Sequence, residues 1–559
     1  MITRGNYTTL GLSEFLEQQG YRTLGYSWLC SRYGIDTLSP IACNVIAKDM
    51  YEYNHKNDDP RVNFVRPGNY FDQEYDMLGT AAHIMYAVAG ELFNPYILKK
   101  VFCSLGREDK MDIEEVLNGA PENVVNRKVG YMYEKFTGKE LDFRPSDRMA
   151  EGKKEYEKLL SSNIYYTLST NTLPAHRINQ KYRIYDNALG DLDIMCPMVR
   201  RSRELDLLSE RNYGSELLDV FKKTEPDILD DVKNLMFLKE SMMSFKVEGE
   251  EKASARIRIY EDILRENKNG IENFSKNTLV NMQKRIVSNE KYTGDYRHLQ
   301  NFVGSMKSGD SVPTIDYVPP KPEDVDGLMS GVISMHAALG NDRSIDPVVA
   351  GSVIHGAFVA VHPFEDGNGR ISRCCFHDML AVHDYVPGGV IFPISDIISQ
   401  NKYEYNQGLE DVTYSITKAC DFDFDEKGCF VVRNNDPDLY RYLDMTPFAE
   451  SMYRILSKTM DETVPEILDS ARILKKVRAT IDKYVPYMTE RQKNRYLKLS
   501  LSDDEGRIYY DLKRRVFNDI KDEDLERLQT ETKKIILEFD RLKEQRFEEE
   551  PETCMEPEM

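Results

Sequence analysis

One short stretch of the sequence combines residue types that are suited to phosphate chemistry. Residues 362–373 read HPFEDGNGRISR. His362 can take a proton from an attacking hydroxyl around neutral pH, because an imidazole ordinarily titrates near pH 6.5. Asp366 supplies a hard oxygen ligand of the kind that holds Mg²⁺ against phosphates. A base and a metal ligand therefore lie four residues apart.

The same stretch also predicts a binding site for an anion. Gly367, Asn368 and Gly369 stand at the start of a predicted helix, where successive backbone N–H groups and the helix dipole favour negative charge. Arg370 and Arg373 share one face of the first turn and can bind phosphate oxygens. Each feature is common alone, as a turn, a structural histidine or a solvated face. Together they indicate transfer of a phosphate-containing group.

Two helices are expected to position this stretch. Asp346-Pro347 opens an apolar-periodic run over residues 348–361, which predicts a helix that ends near His362. Residues 371–382 have helical spacing again. The stretch is therefore predicted to be a tight loop between two helices, with glycines that permit unusual backbone conformations.

The stretch resembles the signature of the Fic family, H-x-F-x-D/E-G-N-G-R-x-x-R, at every specified position. The resemblance implies a helical core that binds ATP and transfers AMP to a Tyr, Thr or Ser hydroxyl of a protein target, with release of pyrophosphate. It implies that His362 deprotonates the target, Asp366 holds Mg²⁺ and Arg373 orients the γ-phosphate. The α- and β-phosphates would lie on Gly367, Asn368 and Gly369, with Arg370 close by. Phe364 is implied to be a core anchor.

A region upstream resembles the β-hairpin flap of Fic domains. Its landmarks are Gly294–Arg297 and Tyr317–Pro320, and residues 312–316 would form its second strand. In the family the flap docks the target segment by strand addition. The candidate target-contacting residues are Thr314, Ile315 and Asp316. The spacing between the landmarks is expanded, and a plain surface loop is the alternative.

A second motif, residues 244–249, reads SFKVEG and resembles the inhibitory motif of the family, S/T-x-x-x-E-G/N. Ser244 and Glu248 would share one helix face, and Gly249 completes the motif. The resemblance implies that Glu248 pairs with Arg373 and so takes the arginine that the γ-phosphate needs. Because the motif precedes the signature, it is similar to relatives with an internal N-terminal inhibitory helix. In some relatives this glutamate also supports removal of AMP. Taken alone, the pair would be ordinary helix-surface residues.

Several alternatives stay open. Tyr405 stands where relatives place an aromatic residue near the base, but a structural tyrosine explains it equally well. The donor could be another nucleotide or a phosphocholine-type compound, although the intact signature favours a nucleoside triphosphate. A Fic fold without activity is a further alternative, against which the presence of His362 argues. Relief of inhibition by self-modification or at a homodimer surface is open.

Composition restricts the class of protein. The chain has 559 residues, 41% hydrophobic and 30% charged, which is typical of a globular protein with more than one domain. Its net charge of −20 disfavours nucleic acid and anionic membrane as partners. No 18-residue apolar run and no basic–apolar leader at residues 1–10 are present, so a cytoplasmic location is predicted. The nine irregularly spaced cysteines are predicted to be reduced.

The predicted fold is mainly α. It has a Fic-type helical core with a small β-hairpin flap, an accessory α+β N-terminal region and a helical C-terminal region. The sections are an N-terminal accessory region (1–125), a second accessory region (126–210), a Fic domain with its inhibitory helix (211–435), C-terminal helices (436–548) and a disordered acidic tail (549–559). Lys513–Arg515 is interpreted as an exposed basic patch, with a DNA-binding winged helix as the alternative. The mixed charges of residues 525–546 indicate a partner or dimer surface.

Overall fold

The computed structural model describes residues 9–37, 41–55, 61–287, 294–305, 313–386, 389–426, 428–433, 436–502 and 516–549. Within these residues the fold is mainly helical with small sheets, as predicted. The basic patch Lys513–Arg515 and residues 550–559 of the acidic tail lie outside the described residues, whereas Glu549 still belongs to a helix.

The chain divides into two compact units, each assembled from separate stretches. The first unit comprises Met1–Arg211, Ala253–Tyr385 and Asn401–Arg454. The second unit comprises Asn212–Lys252, Val386–Gln400 and Ile455–Met559. The boundaries of the two units do not coincide with those of the contiguous sections expected from the sequence. In particular, the stretch that carries residues 244–249 belongs to the second unit, while the signature loop belongs to the first.

The helices of the described residues are numbered in chain order. They are α1 (Thr9–Gln18), α2 (Tyr26–Tyr33), α3 (Met50–Asn54), α4 (Tyr70–Gln73), α5 (Thr80–Gly90), α6 (Pro95–Ser104), α7 (Arg107–Gly119), α8 (Val124–Thr137), α9 (Asp147–Ala150), α10 (Arg203–Ser209), α11 (Tyr213–Lys223), α12 (Leu229–Val247), α13 (Ser254–Glu266), α14 (Lys276–Ile286), α15 (Pro322–Asn341), α16 (Pro347–Val361), α17 (Asn368–Val382), α18 (Ile394–Gln400), α19 (Lys402–Ala419), α20 (Thr446–Lys458), α21 (Val464–Tyr484), α22 (Glu490–Ser502) and α23 (Asp522–Glu549).

The strands form small, separate sheets. They are β1 (Arg22–Leu24), β2 (Cys43–Ile46), β3 (Val62–Val65), β4 (Glu157–Lys158), β5 (Ile178–Asn179), β6 (Ile184–Tyr185), β7 (Val303–Ser305), β8 (Thr314–Tyr317), β9 (Phe422–Phe424) and β10 (Phe430–Val432). Strand β2 pairs antiparallel with β1 and parallel with β3, and β6 lies between β4 and β5. The pairs β7–β8 and β9–β10 are antiparallel hairpins.

The N-terminal part of the first unit has its own apolar core. Helices α2, α5, α6, α7 and α8 contribute its buried side chains, together with residues from 141 to 196. The single tryptophan, Trp28, stacks on His83 with ring centroids 4.0 Å apart. Burial lowers the pKa of His83 to about 4, so this imidazole is neutral and behaves as a planar core residue.

In the rest of the first unit, α16 and α17 form an antiparallel pair around the signature loop, and α15 packs against α16. The Asp346 side chain caps α16 by accepting hydrogen bonds of 2.9 Å from the N–H groups of Val348 and Val349. Pro347 occupies the first helical position, where no N–H is needed. Nearly every residue of α16 is buried. This cap, proline and apolar run place the helix where the sequence predicts it.

The second unit is organised around α12. Helix α12 packs against α18 and α21. The buried Glu240 carboxylate accepts hydrogen bonds from the N–H of Ser395 at 2.9 Å and from its hydroxyl at 2.6 Å. Lys239 forms an ion pair of 3.1 Å with Asp396 on the same helix, α18. A separate apolar cluster joins α21 to α22 and α23.

Two predictions about the whole chain can be compared with the described residues. No helix in the described ranges has the length and hydropathy needed to cross a membrane. The eight cysteines within those ranges form no disulfide, Cys554 lies outside the ranges, and the reduced state stays a prediction.

Candidate active site

His362 ends α16 in a left-handed conformation. Its φ and ψ angles are 50° and 58°, and its N–H donates to the carbonyl of Phe358 at 3.0 Å. A non-glycine residue with positive φ carries local strain and is typical of functional positions. The side chain is partly exposed. The backbone thus turns sharply at the residue that the sequence selects as the base.

A side-chain clasp closes the loop that follows. The amide of Asn368 accepts a 2.9 Å hydrogen bond from the N–H of Phe364 and donates a 2.7 Å hydrogen bond to the carbonyl of the same residue. Gly367, the residue before α17, has a φ of 92°, and a Cβ there would lie 3.1 Å from Val287. Only glycine satisfies both conditions without strain. The loop is therefore fixed before any ligand binds.

Asp366 stands at the mouth of the loop with a partly exposed carboxylate. Its Oδ1 accepts from Arg370 at 2.7 Å, and its backbone carbonyl accepts from the buried Gln283 amide at 3.1 Å. Among the described residues no cluster of three or more His, Cys, Asp or Glu could hold a metal. A single carboxylate with one oxygen outside this ion pair fits Mg²⁺, which takes one or two protein carboxylates and completes its shell with water and substrate phosphates.

Arg297 braces the loop from outside the signature. Its Nε donates to the carbonyl of His362 at 2.8 Å, and its N–H donates to the carbonyl of Pro363 at 2.8 Å. The Arg297 guanidinium also donates hydrogen bonds to the carbonyls of Leu299 and Pro320. The residue is buried, and this burial lowers its pKa to about 10. A buried guanidinium that satisfies these carbonyls fixes the turn at His362.

A comparison with known families identifies this part of the chain. Residues 273–380, which contain the loop, α16, most of α17 and Arg297, match the model of the Fic/DOC family. The chain contains a Fic domain.

Named relatives resemble parts of this chain. It is 25% identical over 200 residues to "Protein adenylyltransferase Fic" of Nematostella vectensis, covering 35% of this chain and 40% of that protein. It is 32% identical over 77 residues to a probable protein adenylyltransferase of Aquifex aeolicus (strain VF5), covering 14% of this chain and 23% of that protein. The chain thus spans well under half the length of these relatives. A solved Fic-domain signalling protein of Bacteroides thetaiotaomicron VPI-5482 aligns over 47% of this chain and 96% of its own, with 14% identity and a TM-score of 0.33.

Two further predicted site residues, Arg373 and Tyr405, are buried within the first unit. Arg373 is 1% exposed, and its charge contributes to the lowered pKa of His355, for which burial is the main cause. Tyr405 is 6% exposed and its hydroxyl lies 2.8 Å from Nε2 of His355. This buried setting favours the structural tyrosine that the sequence left open, and a contact of Tyr405 with a base stays a prediction.

The predicted flap of the Fic domain is a hairpin. Strand β8 begins at Thr314 and pairs with β7, with an irregularity in register between Val303 and Gly304. Thr314 and Asp316 are exposed, whereas Ile315 is partly buried. The Tyr317 hydroxyl donates to the carbonyl of Ala360 at 2.5 Å, which ties the strand to the last turn of α16. Val312 lies outside the described residues.

The predicted inhibitory motif, residues 244–249, spans the C-terminal end of helix α12. Ser244 is buried within α12, while Glu248 is exposed and follows its last residue. Gly249 has a φ of 74°, and its N–H donates to the carbonyl of Lys246 at 3.0 Å. A glycine of this conformation terminates a helix. A carboxylate that follows the last residue of a helix lies at the negative end of the helix dipole, which does not stabilise the helix.

Sequence reasoning missed the residues that support the loop. Arg297 was noted only as a flap landmark, and Gln283 not at all. Asn368 was assigned to the phosphates through its place in the motif, whereas its side chain binds the loop backbone. Gln283 and Arg297 are polar residues that are buried in the structure. The signal that could have revealed them is a polar residue at a position expected to be buried.

The brace can be tested by removing its donors. Replacing Arg297 with methionine keeps the apolar stem but leaves buried carbonyls without partners, so we expect a loss of roughly 2–5 kcal/mol in the stability of the Fic domain. Thermal unfolding followed by circular dichroism measures it. The matched control is Arg258→Met on α13, which removes the same guanidinium from an exposed position. Equal unfolding temperatures for the two variants would contradict a bracing role.

Proposed function

We propose that this chain is a protein adenylyltransferase that transfers AMP from ATP to a hydroxyl side chain of another protein. The observation that carries the proposal is the loop between α16 and α17, in which one clasped turn holds His362, Asp366 and the start of α17 in fixed relation. The names of the relatives from Nematostella vectensis and Aquifex aeolicus support the same activity.

In the proposed reaction the target hydroxyl oxygen attacks the α-phosphorus of ATP. His362 accepts the hydroxyl proton as the new oxygen–phosphorus bond forms. The bond between the α-phosphorus and its bridging oxygen breaks in line, and pyrophosphate leaves. Holding His362 in a braced, left-handed turn keeps the imidazole at one distance from the reacting hydroxyl, which lowers the entropic cost of the transition state.

The phosphates are proposed to bind at the start of α17. The backbone N–H groups of Gly367, Asn368 and Gly369 would donate hydrogen bonds to the phosphates. They lie at the N-terminal end of α17, where the helix dipole favours negative charge. Asp366 would hold Mg²⁺, which neutralises phosphate charge. On ligand binding Arg370 would remain on Asp366 and stabilise its orientation, while Arg373 would bind the γ-phosphate.

We further propose that Glu248 inhibits the enzyme by pairing with Arg373. The pairing would occupy the guanidinium that the γ-phosphate needs, so that ATP would bind without in-line geometry. The support is the resemblance of residues 244–249 to the family motif and the position of Glu248 directly after the last residue of α12. The same carboxylate could activate water for removal of AMP from the modified target.

The position of a radioactive label tests the proposed reaction. Purified Glu248→Gly protein is incubated with Mg²⁺, cell extract and ATP labelled at either the α- or the γ-phosphate. We expect the added protein to increase protein-bound label, relative to extract alone, with α-labelled ATP and not with γ-labelled ATP. Label that the added protein transfers from γ-labelled ATP would show phosphate transfer instead. Stronger transfer from α-labelled GTP, CTP or UTP would show that a nucleotide other than ATP is the donor. ATP binding without any transfer would show a non-catalytic nucleotide-binding protein. Each of these three results overturns the proposal.

A further inference from the structure

A second cavity lies in the first unit and shares no residue with the matched Fic region. Its volume is about 450 Å³, within the range of small-molecule sites. The loop between α5 and α6 forms one side, and Asn44 of β2 and Asn63 of β3 form another. Residues from distant parts of the chain, Tyr165 and Tyr442, complete the wall. The cavity therefore exists only when these segments have folded together.

The Glu91 carboxyl group faces this cavity. Its Oε1 accepts a hydrogen bond of 3.2 Å from the N–H of Tyr26, and the Asn44 side chain also binds it. Gly25 has a φ of 58°, and a Cβ at that position would lie 1.6 Å from Oε1. Any other residue there would displace the carboxyl. The backbone is thus shaped to accept this acid.

Glu91 has no cationic partner among the described residues. Burial raises its pKa to about 8. The nearby Arg200 and Asp444 neutralise each other in an ion pair of 2.8 Å. The other titratable groups around the carboxyl are neutral at pH 7, since burial raises the pKa values of Tyr26, Cys30, Cys43, Tyr86 and Tyr165 and lowers that of His83. Glu91 is the group in this described set whose charge changes between pH 6 and 9.

The walls of the cavity suit a cation that carries an apolar group. Four aromatic rings line it, from Tyr26, Phe93, Tyr165 and Tyr442. Aromatic faces attract ammonium ions by about 0.5–2 kcal/mol when water is excluded. Asn63 donates to the Oδ1 of Asn44 at 2.6 Å, which orients the amide that binds Glu91. A carboxyl without a counter-ion and aromatic walls complement the same ligand.

We propose that this cavity binds a small organic amine as its ammonium ion, with Glu91 as the counter-ion and the aromatic rings around the apolar part. At neutral pH the Glu91 carboxyl gives its proton to solvent as the ammonium binds, so the complex holds a carboxylate–ammonium pair. The inference is independent of the proposed AMP transfer and assigns a binding function to a part of the first unit outside the matched Fic region.

Isothermal titration calorimetry of the full chain tests the proposal. The probes are phenethylamine, tyramine and tryptamine, with 2-phenylethanol as the uncharged match for phenethylamine. We expect dissociation constants of roughly 10 μM to 1 mM for the amines, given their size. The alcohol should bind at least tenfold more weakly. The affinity for phenethylamine should fall by about tenfold per pH unit from pH 7.5 to 6, because Glu91 must then lose its proton at increasing cost.

Substitution at the carboxyl distinguishes the counter-ion from a structural acid. Glu91→Gln should weaken phenethylamine binding at least tenfold at pH 8 and abolish its pH dependence, while the control Glu115→Gln on α7, an exposed position, should bind like the native chain. If Glu91→Gln does not fold, the pH dependence of phenethylamine binding by the native chain tests the proposal instead. The proposal is overturned by equal binding of phenethylamine and 2-phenylethanol, by pH-independent affinity, or by no binding of any of the three amines at about 10 mM.

Discussion

Replacing Glu248 with glycine is expected to raise AMP transfer by the full-length chain roughly 5–150-fold, the usual range for coupling between a regulatory group and a site. The physical reason is the proposed competition for Arg373. A carboxylate at the end of α12 and the γ-phosphate of ATP both require this guanidinium, and removal of the carboxylate leaves it to the phosphate. The measurement is incorporation of α-labelled ATP into protein per unit time at saturating Mg²⁺.

The control for this prediction is a second glutamate in the same turn region. Glu251→Gly changes the same charge and adds the same backbone freedom three residues further on, at an exposed position. It should transfer AMP at the native rate. Glu248→Gln removes the charge without adding the backbone flexibility of glycine. It should raise AMP transfer nearly as strongly as Glu248→Gly. Activation by Glu251→Gly to the level of Glu248→Gly would contradict a specific inhibitory role for Glu248.

Replacing His362 with asparagine in the Glu248→Gly protein is expected to lower AMP transfer by roughly 10²–10⁴-fold, the contribution typical of a general base. Asparagine tolerates the left-handed backbone that this position requires, so the turn and its bond to Phe358 should persist. The substitution therefore removes the base and preserves the loop. Initial rates of label transfer measure the effect, and calorimetric titration with ATP shows whether the nucleotide site remains.

His298→Asn is the matched control for the base. This histidine is exposed and lies in the matched Fic region, so it has the same residue type as His362 at a position without the proposed role. We expect His298→Asn in the Glu248→Gly protein to transfer AMP at the same rate as the Glu248→Gly protein itself. A His362→Asn protein that binds ATP and retains more than about a tenth of the rate would exclude His362 as the base.

The loop and its two helices could be predicted from the sequence because their signals are local. The cap at Asp346, the proline after it and the apolar run fix α16, and the observed bounds, Pro347–Val361, agree with the predicted end near His362. Helix α12 likewise includes Ser244, which the sequence places on a helix, but ends one residue before Glu248. Such elements depend on residues a few positions apart, where capping and periodicity act.

The parts that could not be predicted depend on contacts between distant positions. Arg297 is important because of carbonyls at residues 320 and 362, and no local pattern shows which backbone groups a buried arginine will meet. The role of the Asn368 side chain required the three-dimensional turn back to Phe364. The cavity at Glu91 brings together residues 26 and 442, and the two units combine stretches separated by more than a hundred residues.

The order in which the ribosome makes these segments has a consequence for regulation. Helix α12 ends at Val247, but α21, which packs against it, begins at Val464. At 5–20 residues per second, synthesis of the intervening chain takes roughly 10–40 s. The signature loop, complete by residue 373, is made within that interval. A nascent chain therefore contains its signature loop before α12, the proposed inhibitory helix, can pack against α21. A ribosome that releases the chain near residue 454 would produce a Fic domain whose proposed inhibitory helix lacks α21.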